Sequence, residues 1–274
     1  MNVGDYVGRV LRSEAHQGCH LSVIEHARSR VLPNHAHDWP FVCVLLKGSY
    51  VSRTRSSEME IDNDVAVYHP RAFQHCDAIG RHGGLFFGVQ IDPVLLSDSE
   101  FGRRGATGDI VAVHDDAPYL ILGSLFCALL AGADKLAFES LAAELAGELF
   151  APKACARGAA PRWLTRVEDR LQEGTCISLE DLSREAGVHA TTLTRQFRAH
   201  KRCSIGDYHA RVRAKRAFIG VVSETATLTE VSLMAGYADQ SHMTREFKRA
   251  FGRTPGEIRR HVRNYGFQDD RALD

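Results

Sequence analysis

The hydrophobic positions of this chain change period along its length, and the change divides it. From residue 20 to about 115 apolar residues fall in short runs broken by turn formers. "FVCVLLKGSYV" (41–51) is β-branched and aromatic, punctuated by Gly48. "MEIDNDVAVYHP" (59–70) sets Asp-Asn-Asp between two short apolar runs, which predicts a hairpin. "GGLFFGVQI" (83–91) reads as another strand, and this spacing of short strands predicts a barrel or sandwich. Over 116–150 the period becomes helical. Leu120, Leu122, Leu125, Phe126, Leu129 and Leu130 suit one helix; Leu136, Phe138, Leu141, Leu145, Leu149 and Phe150 suit a second, with Gly132 between. "APKACARGAAPR" (151–162) reads as a linker. From 163 to about 263 the pattern is helical throughout, and the tail 264–274 is expected to be poorly ordered.

The helical region contains one pattern twice. "SLEDLSREAGVHATTLTRQF" (178–197) aligns with "TLTEVSLMAGYADQSHMTREF" (227–247). In each copy a hydroxyl residue stands three positions before an acid, Ser178 before Asp181 and Thr227 before Glu230, the signature of a capping box. Each first helix stops at a glycine, Gly187 or Gly236, which can take a left-handed backbone and turn the chain sharply. In each second helix two apolar residues four apart face inward: Leu193 with Phe197, Met243 with Phe247. Short helix, glycine turn and crossing helix make a helix-turn-helix, whose second helix enters the DNA major groove.

The outer faces of the second helices carry short polar and basic side chains. They are Thr191, Thr192, Thr194, Arg195 and Arg198, with His189 at the turn, and Gln240, Ser241, His242, Thr244, Arg245 and Lys248. Arg can bond guanine bidentately, Gln adenine, and a Thr methyl can touch thymine. Arg198, Lys201, Arg202, Lys248, Arg249 and Arg253 stand toward the helix ends, suited to phosphates. The plainer alternative is a pair of helical hairpins with solvated charged faces. "IGDYHARVRAKRAFIGVV" (205–222) reads as a long helix that sets the two modules about one DNA turn (~34 Å) apart.

Charge sharpens this division. The net charge is zero, but residues 162–263 hold 19 Lys and Arg against 12 Asp and Glu, and residues 1–161 hold 14 against 19. A basic C-terminal domain behind an acidic N-terminal one implies a polyanion partner for the former. Seven cysteines, an odd number without a CxxC, suit a reducing compartment. The N-terminus lacks the apolar core of a signal peptide, and the longest apolar run (120–133) is too short to span a bilayer. A cytoplasmic protein without a membrane partner is expected.

Two resemblances add to this reading. "AGYADQSHMTREFKRAFGRTPGEIR" (235–259) resembles the signature of the AraC/XylS family of bacterial transcription regulators. Met243 and Ile258 stand where the family pattern has aromatics, both at core positions. By position, Thr191, Thr194 and Arg195, and Gln240, Ser241 and Arg245, match residues that face bases in that family. The resemblance implies double-stranded DNA and RNA polymerase as partners, an activator or repressor role, and a homodimer contact through the helices of 116–150; these helices could instead only cover the barrel. "PNHAHDWPFVCVLLKGSY" (33–50) and "VAVYHPRAFQHCD" (65–77) resemble the two motifs of a cupin barrel, a sensor fold expected in this family. His35, His37 and His75 are then candidate ligands for Zn, Fe or Ni, with His69 nearby. Three imidazoles suit such metals. The carboxylate that cupin enzymes add falls at Pro40 or Phe41, and Asp38 is out of register; the histidines could equally be satisfied by hydrogen bonds at a pocket that takes an organic effector. Trp39, Phe41 and His69 are candidate ligand-binding residues, while Tyr50, Phe73, Phe86 and Phe87 are pocket wall or barrel core.

The expected architecture is therefore α+β with two domains. A cupin-like sensor barrel spans 1–115, a helical dimerisation or cover segment 116–150, a linker 151–162, a double helix-turn-helix domain 163–263 and a tail 264–274. The expected function is sequence-specific transcription regulation in response to a small-molecule or metal effector. The alternative is a metal-dependent cupin enzyme fused to a DNA-binding module.

Overall fold

A computed structural model of the chain describes residues 1–95, 109–150, 160–173 and 177–265. The fold is α+β: an N-terminal antiparallel sheet followed by a helical C-terminal part. The strands are β1 (Arg9–His16), β2 (Cys19–His26), β3 (Phe41–Arg53), β4 (Glu58–Ile61), β5 (Ala66–His69), β6 (Cys76–Ile91) and β7 (Val111–Val113). Their order is β1-β2-β6-β3-β5-β7, with β4 also paired to β3.

The central strands are buried on both faces, which explains their unbroken apolar runs. Period-two alternation on β3 sends Val42, Val44 and Leu46 into one core and Phe41, Cys43 and Leu45 into another. Gly48, at φ 94°, lies where β3 crosses β6 closely; a Cβ there would sit 2.0 Å from the Gly83 carbonyl oxygen. The hairpin expected over 59–70 does not form. β4 and β5 both pair with β3, Tyr50 opposite Ile61 and Phe41 opposite His69, so they are two pieces of one interrupted strand. The hairpin is instead β3–β4, closed where Thr54 N–H donates to the Ser57 carbonyl at 2.8 Å. Asp-Asn-Asp marks a jog between the two pieces, and a jog and a turn use the same residue types.

The helices are α1 (Asp116–Ala131), α2 (Lys135–Phe150), α3 (Arg162–Gln172), α4 (Leu179–Ala186), α5 (Ala190–Lys201), α6 (Ile205–Ser223), α7 (Leu228–Met234), α8 (Gln240–Phe251) and α9 (Pro255–Asn264). Gly132, left-handed at φ 63°, ends α1. The expected linker lies almost wholly outside the described residues, as do the tail beyond 265, Cys155 and Cys176.

Apart from the cluster of Phe41, Cys43 and Leu45 on the other face of the sheet, two unequal cores involve the helices. The larger is continuous from the sheet through α1 and α2 into α6, α7, α8 and α9. At its centre Phe218 of α6 lies against Phe126 and Tyr119 of α1 and Phe247 and Phe251 of α8. The smaller is built from Leu164, Val167 and Leu171 of α3, Leu182 and Ala186 of α4, Leu193 and Phe197 of α5, and Cys203. Helix α1 is thus enclosed between the sheet and the C-terminal helices, which accounts for its wide apolar surface.

Candidate nucleic-acid interface and histidine pocket

The first helix pair is closed by local chemistry. Ser178 Oγ accepts the Asp181 N–H at 3.1 Å and starts α4. Gly187, left-handed at φ 68°, ends it, with Val188 N–H donating to the Ser183 carbonyl. α5 starts at His189, whose ring nitrogen accepts the Thr191 N–H at 3.4 Å. A histidine cap gives no sequence signal of the usual kind. With Leu193 and Phe197 fully buried, the helix turns Thr191, Thr194, Arg195 and Arg198 outward and leaves Thr192 half-buried.

The second pair repeats the plan with tighter closure. Thr227 and Glu230 form a reciprocal capping box, and Gly236 takes φ 83°. Asp239 caps α8 by accepting the His242 N–H at 2.7 Å. Met243 and Phe247 are fully buried, so Gln240, Ser241, Arg245 and Lys248 are exposed; His242 and Thr244 are half-buried. Neighbours hold two of these side chains. Thr229 donates its hydroxyl to Gln240 Oε1 at 2.8 Å, and Tyr237 packs edge-on against His242 with ring centres 5.2 Å apart. Lys201, Arg249 and Arg253 pair with Glu168, Glu246 and Glu257. Such exposed pairs are worth at most ~1 kcal/mol, so a phosphate can displace the carboxylate at small cost.

The other face of the sheet encloses a cavity of about 50 Å³ lined by His26, His35, His37, Phe41, Cys43, Tyr50, His69, His75 and Asp77, among others. Trp39 is not among its lining residues, Phe87 faces the opposite core, and Phe73 packs at the edge of the pocket-side cluster. The structure brings the three candidate ligands together: one ligand atom from each of His35, His37 and His75 lies within 4.8 Å of the others. His69 joins the array, its ring centre 4.5 Å from that of His75. Backbone pairing sets the spacing. His35 N–H donates to His75 O at 2.8 Å, and His75 N–H to His35 O at 2.9 Å.

Burial favours the neutral form of His37, His69 and His75. Burial first, then the charges of His75, His35 and the amino terminus, holds His37 down to about 2. Burial with the neighbouring histidines takes His69 well below its ordinary value. His75 is also lowered by burial, with Asp77 opposing. A neutral imidazole offers one lone pair, the form that ligates metal. Burial pushes the Cys43 thiol up to about 12, so it is an inert neighbour rather than a nucleophile. Sequence reading missed Asp77 and His26. Asp77, two residues beyond His75, was accessible from strand alternation alone.

A second cavity of about 430 Å³ lies where the sheet meets the C-terminal helices, lined by Lys47, Gly48 and Asn63 on one side and Arg216, Ile219 and Met234, among others, on the other.

Residues 182–261 match the helix-turn-helix domain family, from within α4 through α6 and the second helix pair. The same region is similar to transcription regulators. It is 29% identical over 98 residues to the probable transcription factor PqrA of Proteus vulgaris, covering 36% of this chain and 78% of that protein. It is 27% identical over 86 residues to the regulatory protein SoxS of Escherichia coli K12, covering 30% of this chain and 78% of SoxS. Against the transcriptional activator NphR of a Rhodococcus species it is 31% identical over 101 residues, which is 30% of NphR. Among solved structures, apo ToxT of Vibrio cholerae aligns over 91% of this chain with 10% identity and a TM-score of 0.40. Among the described residues no helix is long and apolar enough to cross a membrane.

Proposed function

We propose that this chain is a sequence-specific, DNA-binding transcription regulator of the AraC/XylS type. One observation carries the reading: two helix–glycine–helix units flank α6, each burying its apolar pair and presenting a polar, basic face. α5 would read bases through Thr191, Thr194 and Arg195, and α8 through Gln240, Ser241 and Arg245. Thr192, Arg198, His242, Thr244 and Lys248 complete the two faces, and His189 contributes as the cap of the first reading helix. Double-stranded DNA is the principal partner and RNA polymerase the second.

The sheet domain, cupin-like in this reading, would sense the effector. The junction cavity has the size of a pocket for a small organic molecule, whereas the histidine pocket admits only an ion or a water. Either occupant would act by binding one arrangement of sheet and reading heads better than another. A homodimer contact by the helical pair would fall to the outer face of α2, where Leu136 is exposed, because α1 is enclosed within the chain.

The test is selection of bound fragments from random duplex DNA by the full chain, followed by Arg195→Ala and Arg245→Ala. Each should cost ~1–3 kcal/mol and relax base choice at one position of its own half-site. Unchanged affinity and choice in both variants would overturn the assignment of the reading helices.

A further inference from the structure

We propose that Thr229 is a positioning residue for base recognition: its hydroxyl holds the Gln240 amide in the orientation that reads adenine. This role rests on the reading of α8 as a base-reading helix proposed above. Gln240 is the first residue of α8 and is exposed. The N-terminal residues of a recognition helix are those that meet base edges. A glutamine left free at such a place discriminates poorly. Its amide carries an acceptor at one end and donors at the other, and its terminal torsion is broad and close to two-fold. The same side chain can therefore show either end to the groove.

Thr229 removes that freedom. From the neighbouring helix, eleven residues away in sequence, its hydroxyl donates to Gln240 Oε1 at 2.8 Å. A hydroxyl has one proton, and the amide oxygen has two lone pairs. One lone pair of Oε1 is thus engaged, and the other stays open beside the two N–H groups of Nε2. Acceptor and donor side by side in a fixed order match N6–H and N7 of adenine. Guanine presents two acceptors, O6 and N7, and would leave Oε1 facing one of them. Both ends of the tie are anchored. Thr229 lies inside the reciprocal capping box of Thr227 and Glu230, and its carbonyl accepts the Ser232 hydroxyl at 2.7 Å. β-Branching stiffens its χ1 and so fixes the hydroxyl. At the other end Asp239 caps α8, and the Gln240 carbonyl accepts the Thr244 hydroxyl at 2.7 Å. The first unit has neither partner: Glu180 stands where Thr229 does and pairs with Arg184, and Ala190 stands where Gln240 does. In the free chain the tie is exposed and water competes for it, so it adds little to stability. In a groove that excludes water it counts for more, and the amide arrives already ordered.

The test uses the full chain and a duplex that it selects from random DNA. Gln240→Ala identifies the base pair read by Gln240 as the position where choice relaxes, and adenine is expected there. Thr229→Val keeps the shape and the β-branching without the hydroxyl. It should lower the preference for adenine at that position by roughly 3–10-fold, the worth of one hydrogen bond, and leave preferences elsewhere and the unfolding midpoint unchanged. Thr229→Ser should restore most of the preference. In the Gln240→Ala background, Thr229→Val should have no further effect on base choice. Parent-like choice in Thr229→Val, an equal loss in the Gln240→Ala background, a uniform loss of affinity with lowered stability, or a preferred base other than adenine overturns the role of Thr229. So does a Gln240→Ala variant that relaxes no position while Arg245→Ala does, which leaves α8 a reading helix; a chain that selects no duplex refutes both.

Discussion

The two helix-turn-helix units share a sequence plan but differ in what holds them. The second is cast into the main core: Val231, Met243, Phe247 and Phe251 pack in the same cluster as Phe87 and Val89 of the sheet. The first carries its own small core, and its junction with the rest is largely polar. Gln172 Nε2 of α3 reaches Asp116 of α1 and Tyr208 of α6, and Arg216 of α6 donates to the Gln172 and Glu173 carbonyls. Apolar contact is lost in bulk when a junction opens, whereas polar groups can exchange partners with water. The second unit is therefore tied to the sheet by apolar packing, and the first mainly by polar contacts. One plan, repeated, gives one unit cast into the main core and one carried on a core of its own.

The largest effect that bears on this contrast comes from two phenylalanines. Phe218 and Phe197 are each fully buried, in the main and the small core respectively. Truncating either to Ala should cost ~3–5 kcal/mol in its own core. Phe218→Ala should lower the unfolding transition of the sheet together with the second unit. Phe197→Ala should speed amide exchange through α3, α4 and α5 and leave the sheet transition in place. If Phe197→Ala lowers the sheet transition as far as Phe218→Ala does, the units are not separately supported.

A smaller contrast comes from one ion pair in each part. Lys47 of β3 pairs with Glu224 at the end of α6, and their side chains are 2% and 13% exposed. Arg263 of α9 adds a bond to the same carboxylate at 2.6 Å. Glu224→Gln removes a counter-charge from a buried ammonium, and losing one partner of a buried pair costs up to ~3–5 kcal/mol. In the first unit Lys201 and Glu168 are 32% and 21% exposed, so Glu168→Gln should cost under ~1 kcal/mol. Chemical denaturation of the two variants measures the difference. Equal losses would mean that the contact between sheet and second unit is solvated.

Much of the C-terminal part was legible because its signals are local. Caps at Ser178 and Thr227, left-handed turns at Gly187 and Gly236, and apolar pairs four apart lie within one helix or one turn. What was not legible depends on distant partners. The second apolar face of α1 reads as a surplus until α6 and α8 are seen to cover it. Four residues between two short strands could close a hairpin, and only pairing with β3 shows that β4 and β5 continue one line. The histidines were legible as a motif, but their opposition to Asp77 depends on the backbone bridge between His35 and His75. His189 was visible as a polar residue at the turn, and its capping role follows only from the geometry of Thr191.

That cap supplies the smallest test. Asp239 caps α8 with a strong acceptor at 2.7 Å, whereas His189 caps α5 through a longer bond of 3.4 Å. Serine caps better than residues outside the preferred set, and good caps are worth ~0.5–2 kcal/mol. His189→Ser should therefore stabilise the first unit by about 0.5 kcal/mol, while Asp239→Ala should destabilise α8 by about 1 kcal/mol. Amide exchange across α5 and α8 separates the two effects. If His189 serves α5 only as its cap, the serine variant should bind a selected duplex as tightly as the parent, since Thr191, Thr194 and Arg195 keep their positions. A drop in affinity despite a steadier α5 would give the imidazole a contact of its own with DNA, so that its role would extend beyond capping.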